Sequence, residues 1–224
     1  MSMQLLRFTL GVARTQADLA AACHVRSASY GHHVPGLRDP LAEPDPIDHL
    51  PDTSVFVAYD KDSGEPVGTV RLATNARSPL QIEHSTRLPD PLPGCMLAEV
   101  TRLAVLPGHD DPRVKLALMK AIYLCSMARQ VRWMVIGARC EALIRQYRRL
   151  GFTDLLPDGT MVPLAHAGNL PHRVLGFDVA AAERNWHAAR HPFYEFMVRT
   201  YHPDIQVVAQ QGVQPARVPL ALVA

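Results

Sequence analysis

Charged residues interrupt apolar segments at several places in this chain, and their chemistry directs the reading. The run MLAEVTRLAVL at 96–106 has the character of a buried strand, yet it carries Glu99, Thr101 and Arg102. A charge in a central strand is costly to bury unless it is paired. Arg71 interrupts a second apolar run, GTVRLA. Arg26 falls on the stripe Leu19, Cys23, Arg26 and Tyr30, at the spacing that shares one helix face. Each of these alone has a plain explanation, either a structural ion pair or a stem that snorkels at the core edge. Glu43, Asp45 and Asp48, in a Pro-rich loop, would alone be solvated carboxylates. Taken together, three arginines and four acids (Glu99 included) describe a polar cleft with balanced charge. Residues three apart in a plain strand point to opposite faces. Glu99 and Arg102 therefore share a face only if a β-bulge intervenes. Such a bulge frees backbone N–H groups, and these suit a thioester carbonyl oxygen as it gains charge during acyl transfer.

The elements that position these groups follow from periodicity and turn chemistry. Gln4–Ala13 reads as a first strand. Thr15 is the N-cap of a helix running to about Tyr30, with Asp18 completing a capping box. Residues 31–52 are rich in proline and acid, so they form an extended loop with a short helical turn near Pro46–Leu50. Ser54–Tyr59 and Val67–Thr74 pair as a hairpin around Gly64. After a Pro-rich stretch, Met96–Leu106 is the next strand. Asp111 caps a helix with Pro112 at its first position, ending near Arg129. Trp133–Ala138 is a buried strand, and Glu141–Leu150 a helix stopped by Gly151. The remainder, to about Val208, mixes strands with a helix around Pro192–Tyr201. This order implies an α/β fold, a mixed central β-sheet flanked by helices on both faces.

Composition narrows the function classes. The chain has 224 residues, 48% of them apolar and 20% charged, with a formal net charge of +2. That suffices for one sizeable core. It argues against a nucleic-acid arm. A single domain is expected over residues 1–208, with 209–224 as a C-terminal tail, disordered or an arm. The four cysteines lie far apart without CxxC spacing, so they read as reduced thiols rather than zinc ligands. The eleven histidines are scattered, and no metal site is expected. There is no signal-peptide pattern and no apolar run of transmembrane length, so a cytoplasmic location is expected.

Two sets of residues carry a family resemblance. Glu141–Phe152, EALIRQYRRLGF, is similar to the late element of GNAT acyltransferases, in which a tyrosine-bearing helix runs into a Gly-Phe turn. More specific is the ordered series Arg26-x-x-x-Tyr30, Glu43-Pro-Asp45-Pro-Ile-Asp48, Gly68-Thr-Val-Arg71-Leu72 and Glu99-Val-Thr-Arg102. It resembles the acyl-homoserine lactone (autoinducer) synthases and their relatives, the long-chain N-acyl amino acid synthases. The resemblance implies a GNAT-like fold and an acyl-carrier-protein thioester as donor, with no permanently bound cofactor beyond the donor's phosphopantetheine. It also implies that Glu43 or Glu99 assists deprotonation of the attacking amine. Arg26, Tyr30, Asp45, Asp48, Arg71, Thr101 and Arg102 would shape the amine side of the cleft.

Departures from the family pattern refine these expectations. The stretch GHHVPG holds no tryptophan where autoinducer synthases carry one, and the helix aromatic is Tyr30 rather than Phe. Both changes favour an amino acid or another small amine over S-adenosylmethionine as acceptor. Where ordinary GNAT enzymes place a Gly-rich pyrophosphate loop, this chain has LPGHDDPRVKLA. Asp110 and Asp111 would repel a pyrophosphate, which disfavours coenzyme A. An acidic carrier protein would instead meet Arg113 and Lys115, with Arg145, Arg148 and Arg149 as a second basic run. The expected activity is N-acylation of an amino acid. An autoinducer synthase is the alternative within the class, followed by a simple acetyltransferase. A non-catalytic acyl-binding or protein-interaction module is the alternative outside it.

Overall fold

A computed structural model describes residues 2–157 and 159–207, so the 209–224 tail lies outside the described residues. The chain opens with β1 (Ser2–Met3) and β2 (Phe8–Val12), then α1 (Gln16–His33). Thr15 caps α1 as the sequence implies. Asp18 N–H donates to Thr15 Oγ1 at 3.1 Å, and Thr15 N–H donates back to Asp18 Oδ2 at 3.0 Å. The proline-rich loop that follows is broken into three short 3-10 turns, the last at Pro46–His49. A hairpin of β3 (Thr53–Asp60) and β4 (Pro66–Thr74) precedes β5 (Leu97–Val105), α2 (Arg113–Ala128), β6 (Trp133–Ala138) and α3 (Glu141–Leu150). Gly151, at φ 104°, ends α3 in the left-handed conformation that a glycine adopts without strain. The remaining elements are β7 (Thr153–Asp154), β8 (Val162–Leu164), β9 (Leu170–Asp178), α4 (Val179–Ala188), β10 (Thr200–Tyr201) and β11 (Ile205–Gln206).

The main sheet has the order β11-β2-β3-β4-β5-β6-β9-β7, with β8 paired on β9. Its ladders are antiparallel except β11–β2 and β5–β6. Strand alternation divides the core between two faces. Phe56, Ala58, Val70, Leu72, Ala98 and Val100 join the larger core, which α2, α3 and α4 cover. Val55 and Val57 point the other way and pack on Leu19 and Ala22 of α1. Leu97, Val135 and Val174 share a further cluster with Leu80, Ile82, Leu88 and Leu92, from the segment between β4 and β5. Helices on both faces of a mixed sheet are therefore observed. The α1 face is completed by irregular chain, and that is where polar side chains enter. Gly68 of the GTVR run has a packing role on the opposite face. A Cβ there would meet Val114 Cγ1 of α2 at 2.6 Å.

Three sequence expectations need correction. Gln4–Ala13 is not one strand, because Leu6 N–H is taken by the Asp204 carboxylate at 2.8 Å instead of a ladder partner. The pairing of β2 begins only at Phe8. The late helix is α4, capped by Asp178, whose Oδ1 accepts from Ala181 N–H at 3.0 Å. Pro192–Tyr201 holds a π-helical turn at Glu195–Arg199 followed by β10. The start of α2 lies one residue later than expected, at Arg113. Asp111 still serves it by accepting from Arg113 N–H at 2.9 Å.

A buried lysine ties the C-terminal segment to α2. Lys120, only 4% exposed, donates to Phe196 O at 2.7 Å and Thr200 O at 2.6 Å, and lies 3.0 Å from His202 Nδ1. Replacing it with Met keeps the stem volume but strands two buried carbonyls. The Lys120→Met variant is expected to lose about 2–4 kcal/mol of stability. Hydrogen exchange is the check, with amides between Thr200 and Gln206 losing protection before those of β3–β6.

Candidate active site

The site is built where β5 leaves its neighbours. Pairing of β5 with β6 runs from Leu97 opposite Trp133 to Val100 opposite Ile136 and stops there. Strand β5 continues to Val105 and β6 to Ala138, so the parallel pair parts. On its other edge, Arg71 faces Thr101 while Thr69 faces Ala104. Arg102 and Leu103 thus stand opposite the single residue Val70, which is the β-bulge that the spacing of Glu99 and Arg102 required. Arg102 takes φ 57°, a conformation that costs a non-glycine residue about 1–2 kcal/mol. Tyr30, half-buried on α1, donates its hydroxyl to the Leu103 carbonyl at 3.3 Å and so docks α1 on the bulge.

Around the bulge three arginines and two aspartates interlock. Arg26 grips Asp48 with two hydrogen bonds, Nη1 to Oδ2 at 2.6 Å and Nη2 to Oδ1 at 3.1 Å. Arg71 donates from Nε to Thr101 Oγ1 at 2.8 Å, and from Nη1 to Asp45 Oδ2 at 3.2 Å and Asp48 Oδ1 at 3.3 Å. Its Nη2 donates to Gln81 Oε1 at 3.0 Å. Arg102 reaches the same Asp45 oxygen at 2.9 Å. Asp45 and Asp48 are set by the Pro46–His49 turn, where Asp45 N–H donates to Asp48 Oδ2 at 2.9 Å. Burial alone would raise the Asp48 carboxyl. The Arg26 bonds and the charges of Arg26 and Arg71 outweigh it and hold that group below the usual carboxylate range.

Glu99 lies beside this cluster rather than in it. Ile82 N–H donates to its Oε2 at 3.1 Å, and His166 Nε2 is 3.3 Å from its Oε1. The residue is 2% exposed. Burial pushes its carboxyl up to about 7, against the partial opposition of the Ile82 N–H and the Arg71 charge. A group poised there can exchange a proton near neutrality. Glu43, the other glutamate singled out by the sequence, is exposed and makes no side-chain hydrogen bond or ion pair among the described residues. The expected set of four acids is therefore two aspartates in the cluster, one buried glutamate beside it and one glutamate outside it. Gln81 and His166 went unnoticed in the sequence. Both sit in turns without periodicity, and neither spacing nor a neighbouring motif marked them.

The basic residues expected to meet a carrier protein divide in the same way. A cavity of about 560 Å³ opens at the start of α2, lined by Val105, Asp111, Arg113, Lys115, Arg149 and Phe193 among others. Arg113 is folded onto Asp111, with Nε to Oδ1 at 2.9 Å and Nη2 to Oδ2 at 2.6 Å. Each cancels the other's charge. Lys115 donates to Gln146 Oε1 at 2.6 Å, and Arg148 pairs with Asp154. Arg145 and Arg149 are exposed on α3 and make no ion pair among the described residues. Tyr147 points inward instead, packed 5.7 Å from Phe152 between ring centroids. No group of His, Cys, Asp and Glu among the described residues could hold a metal ion. No described helix is long and apolar enough to cross a membrane.

A parting parallel pair, a bulged strand at the parting and a cavity at the following helix describe a GNAT-like fold. Comparison with known proteins gives the family. The profile of the N-acyl amino acid synthase FeeM matches residues 21–167, and the chain belongs to that family. The structure of FeeM, an N-acyl amino acid synthase from uncultured soil microbes, superposes with a TM-score of 0.61 at 15% identity. That match covers 85% of this chain and 98% of FeeM. TofI, in a ternary complex with an inhibitor and MTA, gives 0.56 at 22% identity, over 79% of this chain and 94% of TofI. BjaI, a CoA-dependent acyl-homoserine lactone synthase bound to SAM and isopentyl-CoA, gives 0.54 at 17% identity, over 87% and 93%. No curated protein sequence matches the chain. At these identities the superpositions establish the fold, and the family match establishes an acyltransferase.

Proposed function

We propose that this acyltransferase moves a long-chain acyl group from an acyl-carrier-protein thioester to the amine of an amino acid, giving an N-acyl amino acid. The observation that carries the reading is Glu99, a buried carboxyl brought to about 7 beside the bulge of β5. An ammonium cannot attack until it loses a proton. Glu99 takes that proton, and the freed amine nitrogen bonds to the thioester carbonyl carbon. Collapse of the tetrahedral adduct breaks the C–S bond. The leaving sulfur keeps the electron pair and accepts the proton from Glu99, which returns to the carboxylate, while the second proton of the nitrogen passes to solvent and leaves the neutral amide. Backbone N–H groups at the bulge suit the carbonyl oxygen as charge develops there. No resident cofactor is needed.

The acceptor's class follows from charge. Three guanidiniums in the cluster face two aspartate carboxylates. Arg102 uses one donor on Asp45, and its Nε is buried without a protein partner. The uncompensated positive charge suits an acceptor that brings its own carboxylate, as an amino acid does. For the donor, the missing Gly-rich loop and the free cations Arg145 and Arg149 favour an acidic carrier over a nucleotide. BjaI's dependence on coenzyme A makes that thioester the necessary comparison.

The test supplies one long acyl chain as carrier-protein thioester or as coenzyme A thioester, with a panel of amino acids, and reads products by mass spectrometry. The expected outcome is an N-acyl amino acid formed preferentially from the carrier protein. Reversing Arg145 and Arg149 to Glu should lower kcat/KM for the carrier-protein donor roughly tenfold or more. Equal use of coenzyme A, or no response to the reversal, would sink the donor assignment. A lactone product would replace the acceptor assignment.

A further inference from the structure

The imidazole of His166 faces Glu99, and no step in the proposed reaction uses it. His166 sits in the 3-10 turn Ala165–Ala167 between β8 and β9. Ala165 N–H donates to Ser85 Oγ at 3.0 Å. That bond fastens the turn to the segment that also presents Ile82 N–H to Glu99. Around the carboxylate, Ile82 N–H donates to Oε2 at 3.1 Å and His166 Nε2 approaches Oε1 to 3.3 Å. His166 Nδ1 is buried with no protein partner.

The charges around this pair decide what kind of contact it is. Arg71 of β4 and Arg102 of β5 act on His166, as do Asp45 from the acidic loop and His172 of β9. Arg71 and Glu83 act on Glu99. Burial first, and then the two guanidiniums, bring His166 down to about 4. The imidazole is therefore neutral wherever Glu99 titrates, and the contact is not an ion pair. A neutral ring can still donate one N–H. With Nε2 carrying that proton, the Glu99 carboxylate gains a donor at Oε1.

We propose that His166 is a positioning residue for Glu99, its Nε2–H fixing the carboxylate's orientation and favouring its ionised form. The inference rests on Glu99 being the base. His166 keeps its proton throughout, so the proton balance of the reaction is unchanged. Its contribution is to hold one Glu99 oxygen so that the other lone pairs face the acceptor amine, at the cost of an unpaired Nδ1.

The experiment compares wild type with His166→Leu and His166→Gln, the second keeping an amide donor. Two quantities are read on the full chain. One is the Glu99 carboxyl titration by carbon NMR of labelled glutamate, with Glu99→Gln assigning the resonance. The other is the pH profile of kcat. In His166→Leu the midpoint of Glu99 should rise by about one pH unit, the worth of one lost neutral hydrogen bond. Its kcat at pH 7 should fall roughly tenfold, with KM for the acyl donor little changed. His166→Gln should restore both in large part. A midpoint that stays in place in a folded Leu variant, or a Gln variant as impaired as Leu, would overturn the proposal. If Glu99→Gln itself turns over normally, the base assignment fails instead, a result separate from the titration.

Discussion

At pH 8, replacing Glu99 with Gln is expected to remove most turnover and to make the fold more stable by about 3 kcal/mol. The carboxyl titrates near 4.5 when free and at about 7 in the folded chain. Between those values the unfolded chain has released the proton while the folded chain retains it. Stability therefore falls as pH rises from 4.5 to about 7, and the penalty is constant above that. An isosteric amide carries no charge to desolvate, so the gain should be near zero at pH 4.5 and complete at pH 8. Loss of a general base lowers kcat by roughly 10²–10⁴. For wild type, kcat/KM should rise with pH through about 7, because only the carboxylate can take the amine's proton. Urea denaturation of both proteins at pH 4.5 and pH 8 supplies the check. A variant no more stabilised at pH 8 than at pH 4.5 would show that Glu99 is not strained by burial.

The same cost explains what was legible in the sequence. Arg26, Arg71 and Arg102 stood out because a charge inside an apolar period is tolerated only with a partner, Asp45 and Asp48 were acids available to pair with them, and the structure joins all five. The bulge was legible as a condition, since Glu99 and Arg102 are three apart. Its place opposite Val70 was not, because it depends on the partner strand. Glu43 looked equivalent to Asp45 and Asp48. What separates them is the Pro46–His49 turn, which rotates the aspartates inward and leaves Glu43 outside. His166 reaches Glu99 across 67 positions from a turn with no period, and only the folded sheet makes them neighbours. Helix α4 was readable in principle, with Val179, Ala182 and Trp186 on one face. Its alanines give little hydrophobic contrast, and Pro192 drew the expected helix downstream.

Asp48→Asn should be the most damaging single change to the fold, costing about 3–5 kcal/mol. The Asp48 carboxylate is fully buried between two guanidiniums that are themselves 2% and 0% exposed. An amide has one accepting oxygen, and its NH₂ would face a guanidinium donor. Arg26 would keep at most one bond, and Arg71 would retain only Asp45 on its acidic side. Removing one partner from a buried set leaves charge uncompensated, whereas removing both ends need not. Arg26→Met with Asp48→Leu should therefore cost less than the two single changes added together, by at least about 1 kcal/mol. The pH dependence has a definite sign. Asp48 is held below its free value in the folded chain, so its contribution is present above about pH 4 and is lost as pH falls through the lowered folded value. Wild type should lose stability across that acid window, and Asp48→Asn should lose much less. Activity should fall with stability, because Arg71 positions Thr101 at 2.8 Å, next to the bulge. Additive costs in the double variant would mean that Arg26 and Asp48 do not act as a unit, and the bulge would then owe its place to strand packing alone.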